Sequence, residues 1–171
     1  SDKKLAIWAA AIVVSIVYIL TLPWTVQIGD TGELVASGYA LLVPHPPGYP
    51  LFTIILWLAT HLIPLGTIFW KGAFLTQAFG VATIAIVCAF MRRAPWIGFG
   101  IALTLGFSRM FWRYSVLPDV FSLNALFAAC ILFIYLDPGP LRRYRYLLPV
   151  IFSIGLTHHL TLIFLRPEVL H

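Results

Sequence analysis

Long apolar runs, parted only by short basic or proline-bearing stretches, constrain this chain more than any motif does. Leu5–Trp24, Tyr49–Leu65, Phe74–Met91, Trp96–Ser108, Val120–Leu136 and Leu147–Leu165 are nearly free of charge, and the 171 residues are 61% hydrophobic and only 10% charged. Soluble domains are about 45–50% apolar and about 25% charged. In a bilayer each backbone N–H and C=O must be satisfied within the segment, which leaves helices for runs of this length. The chain therefore reads as an all-α, multi-pass membrane bundle forming a single transmembrane domain over residues 1–171. The net charge of +5 does not imply nucleic-acid binding, because the basic residues sit in small clusters between apolar runs, where they orient membrane segments. Cys88 and Cys130 lie within apolar runs and read as packing residues. Leu5–Leu22 is too long for a cleavable signal core and lacks a small-residue cleavage site.

Lys3 and Lys4 precede the first crossing, residues 5–24, which places the N-terminus in the cytoplasm and Asp30 outside. Asp30-Thr31-Gly32-Glu33 has the form of a capping box opening a helix through about Leu42, and Val43-Pro44-His45-Pro46-Pro47-Gly48 stops that helix. The run Tyr49–Leu65 has two readings. As a crossing, it divides the basic residues six inside against five outside. As a juxtamembrane or re-entrant helix, it puts seven inside, with Arg92-Arg93 and Arg142-Arg143-Arg145 in short cytoplasmic loops, and leaves four outside. His61 and Pro64 also interrupt the run, and the second reading is adopted. Residues 25–73 are then an outer loop with two juxtamembrane helices. Further crossings follow at 74–91, 94–108, 120–136 and 147–165, five in all, with Arg109–Pro118 as an outer loop.

Asp30 and Glu33 are two of the six acidic residues, and three-residue spacing puts both on one helix face. A carboxylate there accepts a proton from an attacking hydroxyl, or holds a divalent metal that activates it; the plainer role is helix capping. His45 suits a phosphate or a proton, or is a simple loop histidine. Arg109 and Arg113, four apart, share a face if their segment is helical and suit a phosphate or pyrophosphate; otherwise they reach toward lipid headgroups. Asp119 is either a second carboxylate of the site or an N-cap. His158 and His159 point about 100° apart on a helix, which disfavours a simple two-histidine metal site. One of them lines a cavity, or both bond neighbouring helices as Ser153, Thr157 and Thr161 can.

Three stretches together resemble a known family. Gly29-Asp30-Thr31-Gly32-Glu33-Leu34 with Pro44-His45-Pro46-Pro47-Gly48-Tyr49-Pro50-Leu51 is similar to the N-terminal signature of PMT-like multi-pass proteins, which include bacterial proteins of uncharacterised function and eukaryotic transmembrane protein O-mannosyltransferases. Phe111-Trp112 through Pro118-Asp119-Val120-Phe121-Ser122-Leu123-Asn124 resembles the second motif, and Gly155-Leu156-Thr157-His158-His159-Leu160-Thr161-Leu162 the third. The resemblance implies a GT-C fold, a polyprenyl-phosphate-linked sugar as donor, and chemistry on the outer face. The acidic residue matching Asp30 is then the base or a metal ligand. In that family the position of Asp119 usually holds Glu, and members usually run to several hundred residues, so this chain is expected to be either the first part of such a protein or a trimmed relative.

Two functions follow. In the first, the chain transfers a sugar, plausibly mannose, from a lipid-phosphate carrier to a hydroxyl. Asp30 is the base, Glu33 and Asp119 are supporting carboxylates, Arg113, Arg109, His45 and Tyr49 bind the donor, and one of His158 and His159 lines the cavity. In the second it is a non-catalytic subunit, packing Gly80, Gly98, Gly100 and Gly106 against other transmembrane subunits. Both place it among membrane lipids, in a bacterial inner membrane or, in a eukaryote, the endoplasmic reticulum.

Overall fold

The structure, a computed structural model, describes residues 2–137 and 139–166, and every regular element among them is helical. Helix α1 (Asp2–Leu20) and helix α4 (Ile68–Phe90) run antiparallel and are long and apolar enough to cross a membrane. At 1.5 Å per residue they measure about 28 and 35 Å. Their four ends fix the topology. Trp24, just past α1, stacks on Trp70 in the first turn of α4 (5.5 Å between rings, 23° between planes). At the other end, Lys3 shares a cavity with Met91, Arg92 and Arg93 just past α4. Residues 25–67 therefore leave and return at the same end of the bundle. They form α2 (Thr31–Ala40) and α3 (Pro50–Leu62), and α3, at about 20 Å, is too short to cross alone.

The core is made by small residues at helical spacing. Ala6, Ala10, Val14 and Tyr18 recur every four positions on α1, are all fully buried, and pack on Ile84 and Cys88 of α4 and Ala102 of α5 (Pro95–Gly106). The Tyr18 hydroxyl donates to the Gly106 carbonyl at 2.6 Å, and the Gln77 amide donates to the Ser15 hydroxyl at 2.9 Å. Between apolar helices in lipid, close backbone approach and such polar contacts supply the association energy. Glycines serve that approach. A Cβ on Gly80 would meet the Ser115 hydroxyl at 2.5 Å and one on Gly98 the Cys88 carbonyl at 2.6 Å, and one on Gly106 would press on Val14 at 3.1 Å. Of the four glycines expected to form a face for partner subunits, three are thus spent inside the fold. Gly100 alone among them faces open space.

The expected crossings differ from the observed helices in three places. Arg109–Pro118 is not loop but mostly helix α6 (Arg109–Val116), which meets α7 (Phe121–Leu136) at a 115° bend. The break falls at Pro118, which lacks the N–H that would continue the ladder. The segment 94–108 yields α5, of 12 residues or about 18 Å, with Pro95 at its first position and Phe107 as its C-cap. The segment 147–165 is broken: α8 (Leu148–Leu156) has 9 residues, and after Thr157–His159 the chain resumes as a 3-10 helix at Leu160–Leu165. Gly155 permits that break, since the Leu162 side chain occupies the place of its missing Cβ. Among the described residues two helices, or three if α6 and α7 count as one, are long and apolar enough to cross, against the five expected. Helix α2 likewise stops at Ala40, where Leu41 turns left-handed (φ 53°), short of Leu42.

Cysteines at Ile28 and at Leu65, both largely exposed, should label with a membrane-impermeant maleimide from the same face, and a cysteine at Arg93 only from the other. A Gly80→Leu substitution should cost about 1–3 kcal/mol by overpacking against Ser115 and Tyr18, read as a lower Tm in detergent.

Candidate functional site

The loop after α2 is shaped by two consecutive left-handed residues, Gly48 (φ 91°) and Tyr49 (φ 42°). Glycine adopts this conformation freely; a residue with a Cβ pays about 1–2 kcal/mol. Tyr49 is held there by its ring, which is 8% exposed. It stacks on His159 (5.8 Å, 21°), takes the edge of His45 (5.7 Å, 79°) and lies 6.5 Å from His158. One aromatic ring thus joins the first and third motifs. The second joins through the buried His158, whose Nε2–H donates to the Val120 carbonyl at 2.8 Å, and through Phe121, whose ring is 5.8 Å from His159.

The donors and acceptors fix the tautomers of both histidines. With its proton on Nε2, His158 presents a buried Nδ1 that has no partner among the described residues. His159 Nδ1 accepts from the Thr161 N–H (3.2 Å) and hydroxyl (2.8 Å), and the Asn124 amide donates to that hydroxyl at 3.0 Å. The proton of His159 is therefore on Nε2, which makes this half-buried ring a hydrogen-bond donor.

The capping box expected at Asp30 and Glu33 does not form. Asp30 precedes α2 without a side-chain cap bond, and Glu33 turns to the loop, where its Oε1 accepts from the His45 N–H at 2.7 Å and its Oε2 pairs with His45 Nδ1 at 3.0 Å. Hydrogen bonds from the His45 ring, then from its backbone, hold the Glu33 carboxyl below its ordinary value. That clip is present above the normal glutamate range and weakens as pH falls through the lowered value. Asp30 is left exposed, with no hydrogen bond to its carboxylate among the described residues.

Asp119 is half-buried in the bend between α6 and α7, where its Oδ1 accepts from the Val120 N–H at 2.6 Å. Burial pushes its carboxyl above the ordinary value, the N–H groups of Val120 and Phe121 pull against that, and the charge of Asp30 adds to the rise. The Tyr49 hydroxyl is raised by burial and then by Asp119 and Asp30. The two carboxylates and the tyrosine therefore share one electrostatic neighbourhood.

Seven of the nine expected site residues, Asp30, Glu33, His45, Tyr49, Asp119, His158 and His159, converge in this way. Arg109 and Arg113 lie in an adjoining groove. They share a face of α6 and line a space of about 430 Å³ with Phe107, Trp112 and Val116. Arg113 also lines a second groove, of about 390 Å³, whose wall includes Gln27 and Ile28 on the way to Asp30. The ion pairs among the described residues are His45–Glu33 and Arg92–Asp137, so neither α6 arginine is spent on a carboxylate. Asn124 was not anticipated as a site residue; its place within the second motif is the signal that could have found it. No three His, Cys, Asp or Glu side chains among the described residues gather closely enough to hold a metal ion.

The family model for the protein O-mannosyl-transferase TMEM260 N-terminal domain matches residues 30–170, which takes in every residue of this cluster. The chain belongs to that family. Among its relatives is protein O-mannosyl-transferase TMEM260 of Mus musculus, 37% identical over 122 residues, which are 70% of this chain and 17% of that protein. The corresponding Dictyostelium discoideum protein is 35% identical over 125 residues, 70% of this chain and 15% of that protein. The chain thus spans less than a fifth of the length of the curated relatives it matches. No solved structure matches it. The resemblance drawn from the three motifs and the family match agree on a PMT-like membrane protein.

Because like charge raises the Asp119 carboxyl, Asp30→Asn should lower its titration midpoint. Carbon-13 NMR of labelled aspartate in detergent reads this directly.

Proposed function

We propose that this chain is the site-bearing N-terminal part of a GT-C-type protein O-mannosyltransferase, which moves mannose from a polyprenyl-phosphate carrier to a hydroxyl of a protein acceptor. The observation that carries the reading is the convergence of three separated motifs on the Tyr49 ring, beside a carboxylate, Asp30, left without a structural task. The names of the relatives supply the sugar and the acceptor class.

In this mechanism Asp30 accepts the proton of the acceptor hydroxyl as its oxygen attacks the anomeric carbon. The bond from that carbon to the carrier phosphate breaks, and its electron pair leaves with the phosphate. A general base in this role contributes about 10²–10⁴-fold. Arg113 and Arg109 suit the growing phosphate charge, because a guanidinium binds phosphate oxygens in pairs and stays charged. The Nε2–H of His159 supplies a neutral donor to the sugar or phosphate. Glu33 positions His45 and the Pro44–Tyr49 loop rather than moving a proton. Asp119, half-buried beside Tyr49 in the bend between α6 and α7, is suited to hydrogen-bond a sugar hydroxyl.

The basic residues support an orientation. Arg92, Arg93 and the Arg142–Arg145 stretch follow helices that end away from the site, in short connections where positive charge favours the cytoplasm. The N-terminus is then cytoplasmic and the acidic cluster lies on the opposite side. Asp30→Asn in the full-length protein should lower mannose transfer by at least about 100-fold while membrane insertion is retained. Transfer at the wild-type rate in a reconstituted assay would remove Asp30 from the mechanism.

A further inference from the structure

A second cavity lies at the end of the bundle remote from the acidic cluster, between the start of α1, the turn from α4 to α5, and the end of α7. It encloses about 590 Å³. Phe90, Phe133 and Leu136 form apolar walls, while Lys3, Arg92 and Arg93 supply charge at its rim. Arg92 is fixed: its Nη1 lies 3.0 Å from Asp137 Oδ1, and its guanidinium sits 5.1 Å from the centre of the Phe133 ring. Asp137 is itself fixed, with a side chain 4% exposed and an Oδ2 that accepts from the Leu141 N–H at 2.7 Å. No carboxylate pairs with Lys3 or Arg93 among the described residues. Three cations thus face one spent carboxylate, and the cavity keeps two uncompensated positive charges.

A positive rim with apolar walls, at the end of helices that cross a membrane, matches an amphiphile with an anionic head. The geometry points to a binding site for the phosphate headgroup of an anionic phospholipid. The phosphate meets Lys3, Arg93 and the outward N–H groups of Arg92, and the first acyl carbons lie along Phe90, Phe133 and Leu136. None of these residues belongs to the acidic cluster, so this site stands or falls independently of the proposed transfer reaction.

The test uses the full-length protein in nanodiscs of phosphatidylcholine with a minor fraction of phosphatidylserine, followed by native mass spectrometry of retained lipid. Retention of phosphatidylserine over phosphatidylcholine is expected. Lys3→Gln with Arg93→Gln should reduce it about fivefold for each cation removed, and Lys3→Arg with Arg93→Lys should restore it. Arg92 is left intact, because its loss would strand Asp137. Arg142→Gln with Arg143→Gln, outside the cavity, should leave retention unchanged. Equal retention of the two lipids, or no loss in the double glutamine variant, would overturn the proposal. So would an equal loss in the Arg142/Arg143 variant, which marks diffuse surface attraction. Displacement of the lipid by millimolar glycerol phosphate would assign the cavity to a soluble phosphate compound instead.

Discussion

The close antiparallel contact of α1 with α4 is the constraint on which the rest depends. It needs Ala6 and Ala10, with Val14 and Tyr18 continuing the same four-residue spacing on α1, and a glycine on α4 where α6 crosses it. In a lipid environment these residues act less by hiding apolar area than by letting backbones approach. Once the two helices are paired, the stretch between them has to begin and end on one side. Both short helices α2 and α3 are thereby confined to that side, and they bring Asp30, Glu33, His45 and Tyr49 to the bend holding Asp119 and to His158 and His159.

The site is built around a residue in an unfavourable backbone state. Tyr49 stays left-handed because His45 of its own loop and His159 of the third motif hold its ring, and the Glu33–His45 clip fixes the approach to it. Strain of this kind persists only where surrounding contacts over-determine it. The cluster therefore depends on packing from both ends of the sequence, while the carboxylate it surrounds makes no internal bond. An exposed, unengaged Asp30 amid rigid neighbours is the arrangement expected where positioning matters more than stability.

Much of this was legible beforehand, for reasons that can be traced. The membrane class follows from charge-poor runs, and the same-side return of residues 25–67 from the placement of the arginine pairs. Of the nine residues singled out in the sequence, seven meet. Helix continuity was not legible, since a run such as Leu147–Leu165 looks uniformly apolar while its geometry turns on Gly155 and on a histidine that bonds a carbonyl in another helix. The expected capping box at Glu33 fails for a related reason: such a box is a local pattern, and the competing His45 lies beyond a helix and a turn. The separation of Arg109 and Arg113 into their own groove depends on the bend at Pro118, which spacing alone does not specify.

The His158 contact with Val120 and the His159 stack on Tyr49 have a consequence for synthesis. The acidic turn emerges early, yet the rings that hold it arrive only after nearly the whole of this stretch has been made. Until then the Pro44–Tyr49 loop lacks what keeps it in place. A nascent chain halted before the last motif would carry every acidic residue of the cluster without the rings that set its geometry.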